Sequence, residues 1–160
     1  MSSGCHRHGG VSVGCLSALD PWEALLVREL RLWCEGPEGQ ATVWNGFALH
    51  LPQGTAAKEM RVFEDLIRTL STFARRPLVR HGLQCDCLGA DEAVFLQIVR
   101  AAAEGELGDA AMVSALVVLP AHAERVALMA GQVGLATQKI HAGQCAHART
   151  TRPDNVVLLH

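Results

Sequence analysis

The stretch His81-Gly82-Leu83-Gln84-Cys85-Asp86-Cys87-Leu88-Gly89-Ala90-Asp91-Glu92 concentrates the residue types most able to do chemistry. Thiolate and imidazole are good zinc ligands, and glycines let a short loop turn its side chains inward. A helix beginning at Asp91 and Glu92 would lower the pKa of a nearby thiol. The loop offers one Cys-x-Cys rather than two Cys-x2-Cys pairs, so it supplies three ligands, His81, Cys85 and Cys87. A fourth must come from elsewhere, and Cys34, His50, His122, Asp91 and Glu92 are the candidates. The plainer reading is that Cys85 and Cys87 are reduced thiols in a packed loop. A redox-sensing thiol pair is a third reading.

Two other groups carry metal-ligating side chains. Cys5, His6, His8 and Cys15 lie near the N-terminus, and His141, Cys145 and His147 near the C-terminus. Both stretches lack helical periodicity and an apolar anchor, so adventitious metal is what they are expected to hold. Arg68, Arg75, Arg76, Arg80 and His81 form a basic cluster before the loop. Cations following a helix are favourable for structural reasons alone, and an anion or nucleic-acid contact through Arg75, Arg76 and Arg80 is the minority reading. Asp91 and Glu92 do not form an acid–base pair, because adjacent helical residues point about 100° apart. No nucleophile elbow, phosphate-binding loop, dinucleotide fingerprint or zincin helix is present.

Helices must position this loop. Asp20-Pro21-Trp22-Glu23 reads as a capped helix start, followed by an apolar stripe of Trp22, Leu26, Leu30 and Trp33. A second helix is expected to bury Trp44, Phe47, Ala48 and Leu51, and a third to bury Met60, Phe63, Ile67 and Leu70. A fourth starts near Asp91 and buries Val94, Phe95, Ile98, Val99 and Ala102. A fifth, capped by Asp109, is expected to turn Met112, Val113, Leu116 and Val117 inward. Pro120 opens a sixth, with Val126, Met129, Ala130 and Val133 buried and Gly134 ending it. No βαβ alternation or helical-repeat period is visible. The expectation is all-α: a compact bundle of five or six helices over residues 19–138, with irregular flexible tails at 1–18 and 139–160. The segment Val156 to Leu159 is read as a frayed tail.

The 160 residues suffice for one domain with a real core. A formal charge of −2 leaves no global field to recruit nucleic acid or an anionic membrane. With no tyrosine and seven Phe and Trp residues, base-stacking modules are disfavoured. No apolar stretch approaches the roughly 20 residues of a membrane span. The first twenty residues do not form a convincing signal peptide, so the cytoplasm is the expected compartment, with its six cysteines reduced or metal-bound. The composition is bacterial-like, rich in Ala, Arg and Gly. The functional expectation is a non-enzymatic interaction or regulatory protein with a protein partner and neither membrane nor nucleic acid. The alternative is a metal-binding or thiol-based sensor or enzyme, with zinc at His81, Cys85 and Cys87.

Overall fold

The structure, a computed structural model, describes residues 10–150. The chain is an all-α bundle with one small sheet. In chain order the elements are β1 (Ser12–Cys15), α1 (Pro21–Trp33), α2 (Pro37–His50), α3 (Ala56–Thr72), β2 (Cys87–Gly89), α4 (Ala90–Ala103), α5 (Leu107–Val117) and α6 (Ala123–Thr150). Single 3-10 turns follow β1 at Leu16–Ala18 and precede α6 at Pro120–His122. No helix among the described residues is long and apolar enough to cross a membrane.

Helix α1 begins where the sequence places it. Pro21 occupies the first turn, and the Asp20 N–H donates to the Glu23 carboxylate at 3.1 Å, satisfying a donor that the helix itself cannot. Helix α3 buries Met60, Phe63, Ile67 and Leu70 as its spacing predicts, and α4 buries Phe95, Ile98, Val99 and Ala102. The edge of Trp33 meets the Phe63 ring, with centroids 5.7 Å apart, and joins α1 to α3.

Helix α6 is the central element and packs against all five other helices. Gly134 does not end it. A Cβ there would stand 2.8 Å from the Ala103 Cβ and 2.9 Å from Val99 Cγ1. Here glycine permits close approach of α4 and α6, and the helix continues through Thr150, past the expected boundary at 138. His141, Cys145 and His147 are therefore on a helix, not in an irregular tail.

Two helices match the expected face only in part: Phe47 and Leu51 are buried, and Val113 and Val117 pack against the core. In α2 the buried side is Gly39, Val43 and Phe47, leaving Trp44 partly exposed. In α5, Ala110 and Ser114 are buried, whereas Met112 and Leu116 point to solvent. That helix is apolar on nearly every side, so periodicity gave its orientation no purchase.

The N-terminal segment also differs from the expected irregular tail in its described part. β1 pairs antiparallel with β2 in the register Ser12↔Gly89, Gly14↔Leu88 and Cys15↔Cys87. Leu16, just beyond, is buried with Val27 and Leu88 in a small separate core. Cys5, His6 and His8, and the segment Val156 to Leu159, lie outside the described residues.

Candidate metal centre

The loop from 81 to 89 is organised from below by one arginine. Arg31 lies on α1 between Leu30 and Leu32, and it is fully buried. Its five N–H donors meet five acceptors. Nε donates to Glu92 Oε1 at 2.7 Å and Nη2 to Glu92 Oε2 at 2.8 Å. Nη1 donates to the carbonyls of Gly82 at 3.1 Å and Cys85 at 2.6 Å, and Nη2 also donates to the carbonyl of Cys87 at 2.6 Å. The chain thus bends around the guanidinium with its carbonyls inward.

Glu92 completes the frame. Besides Arg31, its two oxygens accept the backbone N–H groups of His81 at 3.2 Å and Gly89 at 2.9 Å. Burial pushes this carboxyl up. The Arg31 hydrogen bonds, the Gly89 N–H, the guanidinium charge and the His81 N–H outweigh that push and hold it below its usual range. Both ends of the loop are consequently fixed to one buried ion pair.

Within this frame His81, Cys85 and Cys87 come together. One ligand atom from each lies within 4.8 Å of the others. The His81 ring is buried, with Nδ1 3.7 Å from Cys85 Sγ. The Cys87 N–H points at Cys85 Sγ from 3.3 Å. A tetrahedral zinc, with bonds of about 2.3 Å to sulfur and about 2.1 Å to nitrogen, sets its S···N edge at roughly 3.6 Å. The His81–Cys85 separation matches that edge. Cys85 is disulfide-bonded in this structure, contrary to the expectation of reduced thiols, and Cys87 is a free thiol.

None of the five candidate fourth ligands joins the group. Glu92 is held by Arg31, and Asp91 accepts two bonds from Arg76, at 2.9 and 2.6 Å, and one from the Val79 N–H at 2.7 Å. The Arg76 hydrogen bonds hold the Asp91 carboxyl below its usual range. His122 stacks on Phe73, with ring centroids 3.7 Å apart. His50 lies at the end of α2, beside Gly143 of α6. Cys34 borders a cavity of about 150 Å³ lined by Leu30, Ile67, Phe95 and Ile98 and also by Asp91 and Glu92, and burial pushes its thiol up.

The basic cluster is engaged by the protein itself. Arg75 Nε donates to the carbonyls of Ala115 and Val118, Arg76 clasps Asp91, and Arg80 donates to Glu35 at 2.9 Å and to the Cys34 carbonyl at 3.3 Å. These bonds fasten the segment between α3 and β2 to the helices around it. On α6, Cys145 Sγ lies 3.6 Å from His141 Nε2, a two-residue contact one helical turn apart.

Sequence reasoning found the three loop residues and missed Arg31, whose charge between two leucines reads as solvent-facing. Glu92, expected at the helix start and as one candidate fourth ligand, instead pairs with Arg31. No protein family model, characterised protein or solved structure matches this chain.

Proposed function

We propose that the loop at His81, Cys85 and Cys87 is a zinc-class metal centre, and that the protein acts through it as a non-enzymatic regulatory or structural module. The observation that carries this reading is the convergence of the three ligand atoms within 4.8 Å on a loop held by Arg31 and Glu92. A metal site needs its ligands oriented by a surrounding shell, and here Arg31 and Glu92 fix the backbone that carries all three.

Binding requires Cys85 as a thiolate. The disulfide must first take up two electrons and two protons from a thiol-class reductant, yielding two thiols; zinc then displaces protons from its cysteine ligands. Metal occupancy is therefore tied to redox state.

Native mass spectrometry of the full chain, reduced under anaerobic conditions and titrated with zinc, tests the proposal. The expected result is one tightly held zinc, absent from the Cys85→Ser/Cys87→Ser double variant and absent from unreduced protein. Stoichiometric zinc that survives the double substitution, or no uptake by reduced protein, overturns it.

A further inference from the structure

The three loop residues leave a tetrahedral ion one ligand short. We infer that Cys15 is the fourth ligand, closing a Cys3His site that ties β1 to the loop; this rests on the metal reading proposed above. Cys15 belongs to the segment that the sequence presents as a tail, and only the strand register brings it here.

The register places Cys15 directly opposite Cys87. The Leu16 N–H donates to the Asp86 carbonyl at 2.7 Å, which makes Leu16 and Asp86 a hydrogen-bonded pair. Pairs alternate along an antiparallel ladder, so Cys15 and Cys87 form a non-hydrogen-bonded pair, the kind whose side chains stand closest, with Cα atoms about 4.5 Å apart. The Cys87 backbone is then free to turn away from β1, and its carbonyl goes to Arg31.

Side chains alternate between the two faces of a ladder. Cys15 and Cys87 share one face, and Cys85 precedes the strand, with its Sγ within 4.8 Å of the Cys87 and His81 ligand atoms. Leu88, with its partner Gly14, takes the other face and packs with Leu16 and Val27. Three of the six cysteines thus gather around Cys87, two of them at the end of this sheet, with His81 beside them. The Cys15 sulfur stands outside the 4.8 Å group in its present rotamer. Cys15 is exposed, so no packed neighbour fixes its χ1 rotamer.

A closed set of four protein ligands is the pattern of a structural or regulatory zinc, because no position is left for substrate. It also gives the ion a mechanical role. β1 is four residues long and is held chiefly by its ladder with β2. An ion bound by Cys15 would staple that strand down.

Cobalt(II) added to the reduced full-length protein under anaerobic conditions serves as the probe. Its sulfur-to-cobalt charge-transfer absorption counts thiolate ligands. We expect a three-thiolate tetrahedral spectrum for the wild type. In Cys15→Ser that absorption falls by about a third and affinity drops roughly tenfold or more, as expected for loss of one ligand. Cys15→His restores affinity while keeping the two-thiolate spectrum, which guards against a variant that merely misfolds. Cys34→Ser leaves the spectrum unchanged. A wild-type spectrum with two thiolates that Cys15→Ser does not alter overturns this inference and leaves the three-residue site standing. No tetrahedral cobalt in the wild type overturns both.

Discussion

Arg31 and Glu92 meet as a buried bidentate pair, Nε to Oε1 at 2.7 Å and Nη2 to Oε2 at 2.8 Å, with both side chains sealed from solvent. Taking two charges out of water is expensive, and the attraction between them repays it only when the remaining donors and acceptors are also satisfied. The loop supplies those partners. Its carbonyls at Gly82, Cys85 and Cys87 fill the rest of the guanidinium, and the N–H groups of His81 and Gly89 fill the rest of the carboxylate. The ion pair and the loop conformation therefore stabilise each other.

Removing the arginine should collapse this arrangement. Arg31→Met strands a buried carboxylate and three carbonyls, and should cost about 3–5 kcal/mol. Arg31→Lys should restore little, because an ammonium has three donors for five acceptors and cannot span the carboxylate with a planar fork. Urea denaturation of both variants, and of each combined with Glu92→Gln, checks this. A loss under about 1 kcal/mol for Arg31→Lys would mean that charge alone, without the fork, holds the loop.

The loop itself was legible because His, Cys and Gly are close together in the chain. Arg31 was not. Its role depends on a loop some fifty residues away, and a charged side chain between Leu30 and Leu32 resembles any exposed helical arginine. The pairing of Cys15 with Cys87 was hidden for the same reason, since strand register is a non-local property and a four-residue strand with three exposed positions carries no pattern of its own. Helices α1, α3 and α4 were readable from their stripes and starts. Gly134 misled because glycine commonly follows a helix end, and only the packed neighbour on α4 shows why it sits mid-helix.

Two glycines in helices should respond to alanine with opposite signs. At Gly134 the new Cβ meets Ala103 and Val99 at under 3.0 Å, so Gly134→Ala should destabilise by about 1–3 kcal/mol through overpacking. At Gly46 in α2 nothing lies within 4 Å, and Gly46→Ala should stabilise by about 0.5–1 kcal/mol through helix propensity alone. Thermal denaturation followed by circular dichroism measures both. The same sign for the two would show that the α4–α6 contact is looser than described.

The pH dependence of stability should carry the mark of Glu29. This α1 carboxyl is 5% exposed, and its single side-chain partner is the Thr137 hydroxyl of α6, at 3.5 Å. Burial raises its pKa from 4.5 to about 8, against a smaller downward pull from Thr137. Between those values the folded state keeps a proton that the unfolded state has lost, so unfolding free energy falls as pH rises. The contribution is fully present below 4.5 and gone once pH passes through about 8. Its size is on the order of several kcal/mol. Glu29→Gln mimics the protonated form and should flatten this part of the profile, matching the wild type in acid and exceeding it at pH 8 to 9. Urea midpoints collected from pH 5 to 9 decide it. Parallel profiles for the two proteins would show that Glu29 ionises in the folded state as easily as in the unfolded chain, and that α1 and α6 admit water between them.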